Sequence, residues 1–487
     1  MKQLGKGFAF TSLALMVFAL SGPGLASESE RDQMRQSSTP ALTDQAVSLN
    51  NDQVEEIARR SYQYVAMYNV INKSVMGNAA RTGSNGWNTC VADTVLKDHT
   101  LKDIARPNND TLYTVCIVDL RSEPVIIQFP AFDTTFAALE TSAYDHYCDI
   151  PLSTTKGDFN EPETMLFYSA RTKDYTGGSI KGVDTVMELS GDFAIVFLRV
   201  MPHASEPERM QKNLAAMQRV TTRTLSEYRG LPPKPVDEPD FPPVGSDFDV
   251  FQNNFAEVMQ FVVNHTTFDD EDEMDQAALA ALKPIGIEPG KGIDPAATEL
   301  IDGKALLKAA QGIAREAMAV MIRPEGNPFI YDTFKPKGQM ALEPMVFQSV
   351  VGPIGVPADQ AIYPPVITSD GEPMSALDDY VIRMSEEQLP PSRAFWSVTL
   401  YDKENGFFIP NDRKKYSVGE NAGFALDEDG GIEIHIAAEQ PEGVPEENWL
   451  PINRQDETLD VVMRIYDPDM ERMKSWQAPT AERISRQ

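Results

Sequence analysis

Apolar residues recur every three or four positions at Val54, Ile57, Ala58, Tyr62, Val65 and Tyr68. This spacing predicts an amphipathic helix, capped by Asn51 or Asp52. From Thr111 the period changes to short runs rich in Val, Ile, Phe and Tyr: Leu112–Leu120, Val125–Phe129, Thr135–Ala143, Glu163–Ala170 and Phe193–Met201, with Gly, Pro or Asp in the gaps. Strands that follow one another without intervening helices predict an antiparallel sandwich or barrel. Helical spacing returns after Ser205, which spells a capping box with Glu208, and one stripe through Met210, Leu214, Met217, Leu225 and Tyr228 predicts a helix up to Gly230. Six prolines between Leu231 and Val244 make a stiff connector. Helices are predicted again over Ser246–Asn264, Met274–Leu282 and Asp294–Ile322, the last with Pro295 at its first position. From Met340 the chain reads as strands, at Phe395–Tyr401, Phe407–Ile409, Ile432–Ala437 and Thr458–Tyr466. The pattern is therefore mainly β with a helical segment: two antiparallel β-domains with helices between or beside them.

The first 26 residues follow a different rule. Lys2 and Lys6 precede an apolar stretch from Phe8 to Leu20, and Gly24-Leu25-Ala26 supplies small residues before Ser27. This order reads as a Sec-type signal peptide, residues 1–26, so the protein is expected to be periplasmic or secreted. A flexible polar stretch follows at 27–48, and the pattern divides the rest at 49–203, 204–335 and 336–487. No later run reaches the roughly 20 apolar residues that span a bilayer, so membrane insertion is not expected. With 43 basic against 73 acidic residues the net charge is -30, a field that disfavours nucleic acid and anionic lipid as partners. A small molecule stays open as a partner, as does the oligomeric state. The acidic run Asp269–Asp275 lacks the spacing of an EF-hand loop and reads as a solvated helix start. Cys90, Cys116 and Cys148 allow either one bridge with one free thiol or three buried thiols, and form no C-x-x-C signature.

Two strings carry a family resemblance. Arg106-Pro-Asn-Asn-Asp-Thr-Leu-Tyr113, followed by Asp119-Leu120, Pro124 and Phe129-Pro130, resembles the signature of the domain of unknown function numbered twelve fifty-four. Leu389-Pro-Pro-Ser-Arg-Ala-Phe-Trp-Ser-Val-Thr-Leu-Tyr-Asp402, then Tyr416-Ser-Val-Gly419 and Glu447-Asn-Trp-Leu-Pro451, resembles its companion numbered twelve fourteen. The resemblance implies two jelly-roll-like β-domains with helices beside them in an often exported bacterial protein, and no settled chemistry. Where many members carry Gly-x-Arg-Thr-Thr-Gly, this chain has Pro151-Leu-Ser-Thr-Thr-Lys-Gly157, so an anion site on that loop is not expected to carry over.

The candidate chemistry sits in two blocks. Arg106, Asn108, Asn109, Asp110 and Tyr113 place a guanidinium, carboxamides, a carboxylate and a phenol at a loop-to-strand junction, suited to ligand binding at the mouth of a β-barrel cavity. The same residue types also brace loops, through Asx bonds and an Arg-carboxylate tie. Asp145 and His146, between Tyr144 and Tyr147, are the candidate catalytic pair, as general base or metal ligand, with His203 as a further imidazole. A hydrogen-bonded structural histidine is the competing reading for both. His99, His265 and His435 have no chemical company in sequence and are read as structural. No nucleotide-cofactor motif, nucleophile elbow or paired-His metal motif occurs, so the cofactor and metal are unassigned. The expectation is a small neutral or apolar molecule bound, and in one reading transformed, in a β-domain cavity. The rival is a non-catalytic envelope interaction module.

Overall fold

The computed structural model describes residues 49–484, apart from 103–104, 238, 322 and 324–326. Residues 1–26, expected to be a signal peptide, and the polar stretch 27–48 lie outside the described residues. The fold opens with α1 (Asn51–Thr82), capped one residue earlier than expected: Asn50 accepts from the Gln53 amide at 2.9 Å while Gln53 accepts from the Asn50 amide at 3.0 Å. Gly83, with φ of 71°, ends it in the left-handed conformation that glycine adopts without a Cβ penalty.

Among the described residues nine strands build the first β-unit: β1 (Thr89–Ala92), β2 (Leu112–Asp119), β3 (Val125–Phe129), β4 (Ala137–Ala143), β5 (Asp149–Ser153), β6 (Glu163–Ser169), β7 (Thr185–Leu189), β8 (Phe193–Val200) and β9 (Thr221–Thr224). They form two sheets, in the orders β1-β2-β8-β4-β5 and β7-β6-β3-β9. Leu112, Cys116, Leu139, Val196 and Leu198 of the first meet Val125, Ile127, Met165 and Phe167 of the second in one core. Cys90 and Cys116, direct partners across β1 and β2, form a disulfide, and Cys148 is a buried free thiol.

The long helix expected from Ser205 to Tyr228 does not form. It divides into α2 (Pro207–Met217) and α3 (Leu225–Tyr228), because the β-branched run Thr221–Thr224 adds to the edge of β3 as a strand. Beyond the proline-rich connector come α4 (Asp247–Asp249), a π-turn at Val250–Asn254, α5 (Phe255–Asn264), α6 (Glu273–Leu282), α7 (Pro295–Thr298), α8 (Gly303–Met321) and α9 (Leu342–Val351). The helix expected from Asp294 breaks at Asp302, whose carboxylate accepts from the Lys304 amide and so starts α8 afresh. Ile57, Tyr64 and Ile71 of α1, with Val258 and Val262 of α5 and Ile313 of α8, cover Ile117, Phe193 and Ile195 on the outer face of the first sheet. That double burial explains why β8 is a nearly continuous apolar run.

The second β-unit has eight strands among the described residues: β10 (Ala361–Ile362), β11 (Asp379–Met384), β12 (Ser392–Asp402), β13 (Ser417–Gly419), β14 (Ile432–Ala437), β15 (Trp449–Pro451), β16 (Leu459–Pro468) and β17 (Ala481–Ile484). Its sheets, β10-β16-β12-β13 and β15-β14-β11-β17, enclose a core of Ile382, Val398, Leu400, Ile434, Val461 and Met463. Strand pairing is antiparallel except for β6 with β7 and β14 with β15. Phe407–Ile409 lies outside these strands, joined to Tyr401 by an isolated bridge at Phe408 and by stacking of the two rings at 5.2 Å. Among the described residues neither unit closes into a barrel: each is a pair of open sheets, so the barrel alternative is corrected to two facing sheets.

Candidate functional site between the two β-units

Alternation along β12 and β16 sends Trp396, Val398, Leu400, Val461, Met463 and Ile465 into the second core. It leaves Phe395, Ser397, Thr399, Tyr401, Arg464 and Tyr466 on the other face, against the first unit. The block before β2 lies across that face. Arg106 Nε donates to Asp460 at 2.6 Å, and Arg464 Nη2 donates to the Arg106 carbonyl at 3.1 Å. Tyr401 donates to the Pro107 carbonyl at 2.7 Å, and Asn108 Nδ2 donates to the Tyr466 phenol at 2.9 Å. Ser397 Oγ donates to Asp110 Oδ2 at 2.6 Å, while the Asp110 amide donates to Asn108 Oδ1 at 2.7 Å in a local Asx turn. On β13, Gly419 admits this close packing, since a side chain there would strike the Trp396 carbonyl.

The opposite wall is the outer face of the first sheet. Tyr113 packs on Phe197 at 4.9 Å between centroids, with the Arg199 guanidinium 5.5 Å from its ring. Arg199 Nη2 donates to both oxygens of Glu140, at 3.0 and 2.9 Å. Phe136 and Ala138 close one side against Phe395 and Tyr466, whose rings stack at 4.0 Å. Tyr363 keeps 39% of its surface exposed, yet it stands among Arg199, Arg464, Tyr113 and Glu140, and Arg464 lies 5.9 Å from its ring. The phenol itself is enclosed, and burial raises it above its ordinary value.

Six buried polar atoms on these walls find no hydrogen-bond partner among the described residues: Asn109 Oδ1, Asp110 Oδ1, Thr399 Oγ1, Ser417 Oγ, Arg199 Nε and Arg464 Nη1. An unsatisfied buried polar group costs about 1–3 kcal/mol, so this face carries a concentrated desolvation cost. The titration behaviour agrees. Burial raises the Asp110 carboxyl, and the nearby Arg464 charge and the Ser397 and Ser417 hydroxyls only partly oppose this. Burial likewise raises Glu140 to about 7 in spite of Arg199, and Glu420, which accepts from the Trp396 amide at 2.9 Å, to about 7.

Asp145 and His146 lie elsewhere. The strands that lead to the two candidate blocks are not neighbours: β2 and β4 flank β8 and run the same way, because Leu112 and Ala137 both pair with Val200, while Asp119 pairs with Phe193 and Ala143 with Ala194. Asp110 thus precedes one end of the sheet and Asp145-His146 follow the other, and no composite site forms. Asp145 accepts from Ser190 Oγ at 2.8 Å and from Lys337 Nζ at 3.3 Å, and Lys337 also meets Asp275 at 2.6 Å. Both ring nitrogens of His146 are engaged, Nδ1 with Ser349 Oγ and Nε2 with the Pro353 carbonyl, each at 2.8 Å. Burial holds its imidazole down at about 4, so it is neutral at pH 7. His203 sits past the Val200 end of β8 with Arg209 and Glu206, away from His146. Among the described residues no three His, Cys, Asp or Glu side chains form a metal-holding group. Asp275, read as part of a solvated helix start, is fully buried against Lys337. His265, read as lacking company, has Asp192 at 2.8 Å from Nδ1, a partner 73 residues away in sequence.

The residues that complete the seam, Glu140, Arg199, Tyr363, Ser397, Thr399, Ser417, Arg464 and Tyr466, were not among the sequence candidates. One signal was available: Arg199 is the lone charge in β8 and Arg464 interrupts the apolar run Val461–Ile465 of β16, and buried charges need partners.

The architecture is that of a two-unit β-protein, with helices over one sheet and a polar seam where the two units meet. Residues 87–223 match the model described as Protein of unknown function (DUF1254), and residues 360–470 match that described as Protein of unknown function (DUF1214). The chain belongs to the family that pairs these two domains in this order. The crystal structure of the VPA0106 protein from Vibrio parahaemolyticus is similar over 89% of this chain and 100% of that one, with 23% identity and a TM-score of 0.68, which shows a shared fold. The crystal structure of a putative uncharacterized protein from Burkholderia cenocepacia aligns over 89% of this chain and 92% of that one at 13% identity and a TM-score of 0.39. No curated protein matches the chain. Among the described residues no helix is long and apolar enough to cross a membrane.

Proposed function

We propose that this is an exported small-molecule-binding protein whose ligand occupies the seam between the two β-units, held by Asp110, Asn109, Arg199 and Arg464 and bordered by Tyr113 and Tyr363. The observation that supports the reading is the cluster of charged and polar side chains, Asp110, Asn109, Arg199 and Arg464, that the two units bury together where they meet. Ligand sites favour interfaces between structural units, where a few convergent polar groups set orientation. Asp145 and His146 have no part in this reading, since their hydrogen-bonding capacity is already used.

The test is a thermal-shift screen of the purified protein against fractionated metabolite mixtures, repeated with Asp110→Asn and Arg464→Met. A ligand of the folded state raises the melting temperature of the unsubstituted protein, and the shift should disappear in both variants. A shift that survives both substitutions places the ligand elsewhere. The absence of any stabilising fraction favours instead an interaction module whose seam is only a brace. Export has its own measurement: mass spectrometry of the fractionated protein is expected to find an N-terminus near Ser27, and a cytosolic form starting at Met1 would refute it.

A further inference from the structure

We propose that the Cys90–Cys116 disulfide is a thiol-exchange site, at which an external dithiol delivers two electrons to the folded protein. The site is independent of the seam, and its failure would leave the seam reading untouched. Cys90 belongs to the edge strand β1, and its side chain lies on the inner face of the sheet beside its partner Cys116 of β2. A cleft of about 320 Å3 opens there between β1 and the chain that leads into β9, with Cys90 in its wall. Buried Met217 and Val220 floor it, and exposed Arg81, Thr94 and Gln218 stand at its rim.

The two sulfurs differ in access. Cys116 sits on β2, flanked by β1 and β8, and is 1% exposed, whereas Cys90 is half-buried at the open edge. An incoming nucleophile therefore meets Cys90 first. None of the residues lining the cleft is acidic, although the chain carries a net charge of -30. Arg81 Nη2 donates to the Ala92 carbonyl at 3.0 Å, which holds the guanidinium beside β1. A cation there favours the thiolate, the attacking form, over the thiol.

The exchange balances as two displacements. One thiolate of the dithiol attacks Cys90 Sγ and forms a new S–S bond, while Cys116 departs with the bonding pair and takes up a proton. The second thiolate then attacks the partner's own sulfur in that mixed disulfide and releases Cys90, which is protonated in turn. The dithiol has become a disulfide, and its two electrons and two protons reside on Cys90 and Cys116. Cys148 takes no part, since it precedes β5 at the far edge of the same sheet and is buried. Other ties keep β1 in place once the bond is open. Asn78 Nδ2 donates to the Thr89 carbonyl at 3.3 Å and to its hydroxyl at 3.2 Å, and the Asp93 amide donates to the Tyr113 carbonyl at 2.7 Å. The two thiols thus stay opposite one another, so the bond can re-form.

The experiment treats the folded, oxidised protein with dithiothreitol and counts thiols by alkylation and mass spectrometry. Two new thiols are expected, at a rate that rises in proportion to dithiothreitol while the circular dichroism spectrum is unchanged. A rate that does not vary with dithiol concentration means the bond reacts only after unfolding, and overturns the proposal. So does a bond that resists reduction until urea is added. In Cys116→Ala the remaining Cys90 is expected to react with iodoacetamide about tenfold or more faster than Cys116 does in Cys90→Ala. Equal or reversed rates overturn Cys90 as the point of attack. Reduced thioredoxin at the same dithiol concentration separates two sources of the reagent. A faster reaction than with dithiothreitol makes the partner a protein, a slower one makes it a small dithiol, and failure of both reagents overturns the site.

Discussion

The two ends of the central β1-β2-β8-β4-β5 sheet both bury charged side chains and pair them differently. At the end covered by helices, Asp145 is bonded to Ser190 and Lys337, Lys337 links Asp145 to Asp275, and His146 uses both nitrogens. At the end facing the second β-unit, Asp110 has one oxygen bonded and one idle, and each of Arg199 and Arg464 keeps an idle nitrogen. The helical end is not fully satisfied either, since Asp275 Oδ1 and the Tyr147 hydroxyl are also buried without a partner; what differs is that its carboxylates share one cation, Lys337, whereas Arg199 and Arg464 at the seam face separate carboxyls. Residue type does not tell the two ends apart, since both hold carboxylates, cations and tyrosines; the pairing of the charges does.

That contrast is exposed to test. The largest effect is expected from Lys337→Met, which leaves two fully buried carboxylates without their cation; urea unfolding should show a loss of about 3–5 kcal/mol. A loss under 1 kcal/mol would mean the helical end is no brace. Next comes pH. His146 has its folded-state value lowered to about 4, so its contribution is complete above the ordinary 6.5 and is lost as pH falls from there towards 4, by roughly 3 kcal/mol at most. Asp275, raised to about 6, acts in the opposite sense, its contribution being present at low pH and lost as pH rises through 6. Stability profiles of His146→Gln and Asp275→Asn should each flatten one of these slopes, and parallel profiles for wild type and His146→Gln would contradict the assignment.

At the seam the expected costs are smaller. Asp110→Asn should lower stability by about 1 kcal/mol, because a single hydroxyl bond is altered and the carboxyl is already pushed up by burial. Chemical denaturation showing 3 kcal/mol or more would erase the distinction between the two ends. The smallest effect belongs to Arg106→Ala, whose partly exposed pair with Asp460 is worth about 0.5–1 kcal/mol. A double-mutant cycle with Asp460→Ala measures that pair alone.

Much of the fold was legible because the chain alternates or recurs clearly where one face is buried. Val125–Phe129 was read residue for residue, and the central strands β8, β12 and β16 were found within a few positions. The short edge strands β1, β7 and β9 were not, since four or five residues with one partner carry too little pattern to outweigh their surroundings. Half of the seam was visible as the polar block Arg106–Asp110. The other half was not, since Ser397 and Tyr466 stand 287 and 358 residues from the groups they bond, and nothing local to either records the pairing.

Those separations also bear on how the molecule is made. A chain that emerges N-terminus first presents the strands of the first β-unit long before Ser397, Arg464 and Tyr466 follow. Until then the strip Arg106–Asp110 has no surface to lie on, and Asp110 must stay hydrated. Docking of the two units is then the last act of folding, and a chain cut short before β16 keeps a sticky, half-finished flank that quality-control proteases would recognise.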